Sequence, residues 1–169
     1  MPLTVQTVPP RLVQPPAAFT ASSTAATWYG ANSVTFMRFG LPAAGTYQYV
    51  NFYVGTSSGN IQVGVVSFAL NSDTVLSYTR VMSSGVIACP TAATPARVDC
   101  GATWLPAGDY GLFLWCDNTT ATFLHGAPAT HNGARASFST GSLGSGVGTS
   151  GTTALSGRWV HGLTLESPV

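Results

Sequence analysis

The chain has 169 residues, of which 45% are apolar and only 7% charged, with a formal net charge of +1. Length and apolar content allow one ordinary domain and exclude general disorder, while the net charge excludes a basic field for nucleic acid or anionic lipid. A typical soluble domain is about 25% charged, so this surface is solvated by Ser, Thr, Gly and Asn or is covered by other subunits.

Residues Met1 to Ala18 form a distinct segment. Pro2, Pro9, Pro10, Pro15 and Pro16 disfavour helix and favour extended backbone. Val5, Val8, Leu12 and Val13 lie between them and are the candidate assembly contacts of an extended Pro-rich arm. The arm has no apolar core of the kind a signal peptide needs, and the chain holds no apolar run near the ~20 residues of a membrane helix. The mature chain is therefore expected to begin near Met1.

Residues 19–169 read as one β domain. Short stretches rich in Val, Phe, Tyr, Thr and Trp recur between Gly, Pro, Ser and Asn clusters, and no long stretch has a helical period with caps. Ser33 to Phe39 is the first clear strand, and Tyr47 to Val54 the second. Period two places Tyr47, Tyr49 and Tyr53 on one face of the second strand and Phe52 on the other. Gly55 to Asn60 is a turn; Ile61 to Leu70 is the next strand, with Gly64 a candidate bulge. Val75 to Met82 and Val86 to Ala88 follow, then a loop at Cys89 to Pro95 and a short strand at Ala96 to Cys100. After the turn Leu105 to Asp109 comes Tyr110 to Cys116, the most apolar strand. Core anchors are expected at Leu112, Leu114, Val63, Val65 and Phe36 or one residue away. Thr120 to Leu124, Ala134 to Phe138 and Trp159 to Leu165 complete the set, and Thr140 to Gly157, mostly Gly, Ser and Thr, is expected as a mobile surface loop. The spacing predicts an all-β antiparallel sandwich of about eight or nine strands.

Chemical motifs are sparse. Gly146 to Gly151 matches G-x-G-x-x-G but lies in low-complexity sequence and leads towards a strand, whereas a dinucleotide site needs a following helix. His125 and His131 with Asp117 fit no standard metal spacing, and His161 stands apart. Cys89, Cys100 and Cys116 contain no C-x-x-C pair; buried free thiols are expected, with a Cys89–Cys100 bond the alternative. No G-x-S-x-G elbow is present. Neither catalytic, cofactor nor metal residues are assigned, and the chain is expected not to be an enzyme. Asn118-Thr119-Thr120 is a glycosylation sequon by pattern alone. The aromatics, from Trp28, Tyr29 and Tyr47 to Trp104, Trp115 and Trp159, belong to the core by default. Two of them presented together with an Asp or Asn would favour a sugar site.

One arrangement is familiar. The block Tyr47 to Ala69, with Val54-Gly55-Thr56-Ser57-Ser58-Gly59-Asn60-Ile61, is followed by Gly85-Val86-Ile87-Ala88-Cys89-Pro90. Leu105-Pro106-Ala107-Gly108-Asp109-Tyr110-Gly111-Leu112 and Asp117-Asn118-Thr119-Thr120-Ala121-Thr122-Phe123 come after. This order resembles jelly-roll-like β-sandwich domains in virion proteins of tailed bacteriophages, among them decoration and minor tail proteins. The resemblance covers roughly the middle half of the chain. It implies a non-enzymatic structural protein of the virion, assembled in the host cytoplasm without cofactor. The resemblance does not separate capsid from tail; small size, one domain and the adhesive-looking arm favour a capsid decoration protein, expected as a homotrimer partnered by other virion proteins such as the major capsid protein. A tail-associated receptor-binding protein for a host-surface glycan is the alternative, and a small hydrolase a third.

Overall fold

The computed structural model describes residues 12–13, 24–28, 30–72, 75–126, 133–137, 148–151, 153–154, 159–160 and 163–168. Among them there is no helix, and therefore none long and apolar enough to cross a membrane. Eight strands have five residues or more: β3 (Ser33–Leu41), β4 (Gly45–Thr56), β5 (Asn60–Ser72), β6 (Val75–Ser83), β8 (Thr94–Leu105), β9 (Gly108–Cys116), β10 (Thr122–Gly126) and β11 (Gly133–Ser137). Seven shorter ones are β1 (Leu12–Val13), β2 (Thr24–Thr27), β7 (Ile87–Ala88), β12 (Gly148–Gly151), β13 (Thr153–Ala154), β14 (Trp159–Val160) and β15 (Thr164–Glu166).

They form two antiparallel sheets, a β-sandwich arrangement. The first is centred on β4. β8 pairs along one edge of β4, and β15 and β10 share the other, at Tyr49–Asn51 and Val54–Thr56. The second runs β12-β6-β5-β9-β3-β11-β13, with β7 on β5. Its terminal strands β12 and β13 are separated by one residue of sequence, so the path curls until its ends meet. Gly148–Gly151 and Thr153–Ala154 fall inside the segment expected to be a loop, and they form paired strands on Val75–Tyr78 and on Ala134–Arg135. The rest of that segment lies outside the described residues.

The strand β9 organises both cores. Pro106 lies in the turn before it, and the Tyr110 hydroxyl donates to the Pro106 carbonyl at 3.0 Å. The strand pairs with β3 from Gly108 to Cys116 and with β5 from Tyr110 to Cys116 on its other edge, so it sits inside the sheet, and from Tyr110 onward its side chains are buried on both faces. Leu112, Leu114 and Cys116 join Val63, Val65, Met37, Phe52, Phe123 and Leu165 in the core between the sheets. Phe113 and Trp115 join Val34, Phe36, Val66 and Tyr78 in a second core inside the curl. Phe36 is therefore not a companion of Leu114. It pairs across from Phe113 and shares that face, while the neighbouring Met37 enters the first core. Gly64, between these layers, is required by space: a Cβ there would collide with the Met82 carbonyl oxygen and lie 2.9 Å from the Phe113 ring. The register irregularity falls one residue on, between Val65 and Val66.

The Ala96–Cys100 strand is longer than expected, running over twelve residues from Thr94 to Leu105. Gly101 does not end it but takes φ +78° inside it, forming a bulge opposite Tyr47–Tyr49. The bulge lets both halves continue as one strand. β10 in turn starts at Thr122 rather than Thr120, because the Asn118 side-chain oxygen accepts from both Thr120 N and Ala121 N at 2.9 Å.

Candidate functional site

The three-strand face of β8, β4 and β15 turned away from the core carries the candidate site. Its layout follows from the bulge. In β8, Val98, Cys100 and Leu105 are buried, and in β4, Tyr47 and Val50 are buried. Cys100 and Leu105 are five positions apart and Tyr47 and Val50 three, both odd intervals. A regular strand alternates every residue, so both strands slip phase at the same level. Tyr47 therefore goes inward at 2% exposure while Tyr49 and Tyr53 stay on the outward face. The three tyrosines do not share a face, contrary to the period-two reading. The same slip turns Trp104 outward, to 63% exposure.

Cross-strand register places Trp104 beside Thr46, Asp99 beside Tyr49, Arg97 beside Asn51 and Pro95 beside Tyr53. On the other edge Glu166 lies beside Tyr49 and Thr164 beside Asn51. One end of this face is a closed network. Arg97 Nε and Nη2 both donate to Glu166 Oε1, at 3.1 and 2.8 Å. Asn51 Nδ2 donates to Glu166 Oε2 at 2.9 Å. The Arg97 guanidinium carbon sits 3.4 Å from the centre of the Tyr49 ring, a cation–π contact. The hydrogen bond from Arg97 holds the Glu166 carboxyl below the usual range, and the same bond holds the Arg97 guanidinium above its own.

The other end is more open. Asp99 Oδ1 accepts from Gly101 N at 2.8 Å and Oδ2 accepts from Gln48 Nε2 at 2.9 Å. The backbone donor at Gly101, then Gln48, hold the Asp99 carboxyl below its ordinary value. A carboxylate offers about four lone-pair sites, so an ordered acceptor remains at the surface between Tyr49 and Trp104. This end can hydrogen-bond hydroxyls and amides and can stack an apolar ring face.

The other residues singled out by sequence fall elsewhere. Val5 and Val8 lie outside the described residues; Leu12 and Val13 form β1, paired with Glu166 and Leu165 of β15. His125 is a backbone partner of Val160 and Thr24 in the first sheet, and His131 and His161 lie outside the described residues. Asp117 belongs to a turn brace: its oxygens accept from Asn60 N at 3.0 Å, Asn60 Nδ2 at 2.8 Å and Asn118 Nδ2 at 2.7 Å. Asn118 Nδ2 also donates to Ser58 O at 3.0 Å, which leaves the sequon nitrogen engaged in the turn. Among the described residues no three His, Cys, Asp or Glu side chains group as metal ligands. Cys89, Cys100 and Cys116 are buried free thiols. Burial pushes the Cys100 thiol up to about 12 and the Cys116 thiol up to about 11, far from a reactive thiolate. Trp28 and Phe123 pack edge-on at 5.2 Å in the core, the default expected for an aromatic.

Trp104 is the residue that sequence reasoning left in the core by default. The usable signal was Gly101, which interrupts a run that otherwise alternates. No protein family, curated protein or solved structure matches this chain.

Proposed function

We propose that the chain is a non-enzymatic structural protein of a bacteriophage virion, displayed on the particle surface as a capsid decoration protein. The observation that carries this reading is the meeting of the arm with a sheet edge. Leu12 and Val13 pair antiparallel with Glu166 and Leu165 at the margin of the first sheet. Backbone pairing of this kind is indifferent to which chain supplies the strand, so an arm that adds to a sheet edge here suits attachment to a neighbouring copy or to the major capsid protein. The shortage of charge supports the same reading, with eleven Asp, Glu and Arg side chains and no Lys among 169 residues leaving coverage by neighbours to do part of what charge does in a free domain. The jelly-roll-like description and the homotrimer belong to this proposal, the first resting on the resemblance and the second on small size, one domain and the arm.

Removing residues 1–18 tests it. The sandwich is expected to stay folded by circular dichroism while the number of copies per particle falls. Normal incorporation of the shortened protein would defeat the attachment role. Counting copies against capsomers separates the two virion locations, since hundreds of copies mean capsid and a handful mean the tail.

A further inference from the structure

The bulge in β8 does something that the fold alone does not need. Asp99 and Trp104 are five residues apart and would face opposite sides of a regular strand. Gly101, at φ +78°, with the matching slip in β4, brings both to the outer face, where Asp99 and Trp104 are each exposed. Bulges are over-represented at sheet edges, where β8 lies, and next to active sites, where they re-aim a side chain, and an indole left 63% exposed on an ordered strand is costly to hydrate. On β4, Thr46 lies beside Trp104 and Gln48 donates to Asp99. Their β4 partners Thr46 and Tyr49 are three residues apart, so the backbone positions of Trp104 and Asp99 lie about 10 Å apart along the strand.

We infer that Trp104, Thr46, Gln48 and Asp99 form a binding site for a neutral sugar ring of a glycan. The indole face takes the apolar C–H face of a pyranose. Asp99, oriented by Gly101 N and Gln48, accepts from ring hydroxyls through its unused lone pairs, and Thr46 supplies a further hydroxyl at the rim. Charge selects the class. Among the described residues the face carries one cation, Arg97, already joined to Glu166, and two anions, Glu166 and Asp99, so sialylated, uronic or phosphorylated sugars meet net repulsion. The inference extends the reading as a surface-displayed protein by naming what the exposed face meets, but the binding is a property of the isolated chain and is measured on it.

The test is saturation-transfer difference NMR on the full chain with the methyl pyranosides of glucose, galactose, mannose and N-acetylglucosamine, and with lactose against 3′-sialyllactose. For one ring of about a dozen heavy atoms, ligand-efficiency limits place the dissociation constant on the order of millimolar. Saturable binding of at least one neutral sugar is expected. Trp104→Ala is expected to weaken it by about tenfold or more, Asp99→Asn to weaken it by less, and sialylation to give no gain. Both variants change exposed side chains, and circular dichroism verifies their fold. The site is overturned if no neutral sugar binds up to about a hundred times the millimolar scale expected above. It is equally overturned if Trp104→Ala binds as the parent does, or if 3′-sialyllactose binds more tightly than lactose. A change in oligomeric state on Trp104→Ala, without sugar binding by the parent, would make the face a subunit contact instead. Because no particle is involved, the virion reading can fail while the sugar site stands, and the reverse.

Discussion

Two polar clusters built from the same residue types behave differently. The brace of Asn60, Asp117 and Asn118 uses its hydrogen bonds to close turns: Asp117 accepts from Asn60 N, and Asn118 ties Ser58 O to Thr120 N and Ala121 N. The cluster of Gln48 and Asp99 is ordered by only two bonds and stands on a sheet face beside an exposed indole. An Asp or Asn whose bonds run back into its own turn serves stability. One that is oriented yet still has acceptor capacity at the surface is available to a ligand. Damage to the brace should therefore appear in stability, and damage to the face in binding.

Asn118→Ala should give the largest effect of the polar changes. It removes the acceptor of two backbone N–H groups and the donor to Ser58 O. At about 0.5–1.5 kcal/mol per bond, with some donors left unsatisfied, the loss is about 2–4 kcal/mol. The benchmark is Leu114→Ala in the core, expected to cost about 2–5 kcal/mol. Urea unfolding at constant slope measures both. A loss below about 0.5 kcal/mol for Asn118→Ala would place the brace with ordinary surface residues. Gly59→Ala should follow at about 1–3 kcal/mol, because Gly59 has φ +60° and an added Cβ would meet the Asn118 and Asp117 side chains. If Gly59→Ala is neutral, the turn can yield and the brace is not rigid.

The difference between the clusters also marks how far the sequence could be read. The all-β class, the strand Tyr110–Cys116 and the turn at Gly55–Asn60 were legible because alternation and turn residues are local signals. The face assignment of Phe36 was not, because β9 is buried on both sides and an all-apolar strand gives no phase. Tyr47 and Trp104 were misplaced for a related reason. A two-strand slip centred on Gly101 changes the phase of residues on either side, and only pairing register reveals it. The site therefore depends on the one feature that a period-two reading cannot carry. The blocks behind the phage resemblance, by contrast, hold structural work: the brace and the Tyr110 hydroxyl bond to Pro106.

A smaller effect should come from the closed end of the face, and it depends on pH. Glu166 has its folded pKa lowered, first by the hydrogen bond from Arg97. A lowered folded pKa means that its stabilising contribution is fully present above the unfolded value, near 4.5, and is lost as pH falls through the folded value. The parent should therefore lose more stability than Glu166→Gln when the pH is taken from 6 to about 3. Because Arg97 is exposed, the difference should be small and should shrink further in high salt. Equal acid sensitivity of the two proteins would show that the network contributes order without pH-linked stability.

The smallest stability effect should belong to Trp104→Ala. Its side chain is 63% exposed, so truncation leaves little cavity and removes little buried area, and its cost should stay within about 0.5 kcal/mol. The neighbouring groups keep their partners, since Asp99 is held by Gly101 N and Gln48 rather than by the indole. Gly101→Ala makes the complementary change. No atom lies within 4 Å of an added Cβ there, but φ is +78°, so the substitution strains backbone without crowding it. Relief of that strain would straighten the bulge and return Asp99 and Trp104 to opposite faces. Trp104→Ala should thus lose binding at unchanged stability, while Gly101→Ala should lose binding with a stability cost of about 1–3 kcal/mol. If Gly101→Ala keeps full sugar binding without any stability cost, the bulge is not what assembles the site. If Trp104→Ala destabilises the fold as much as Asn118→Ala does, the indole supports structure, and the contrast between the two clusters fails.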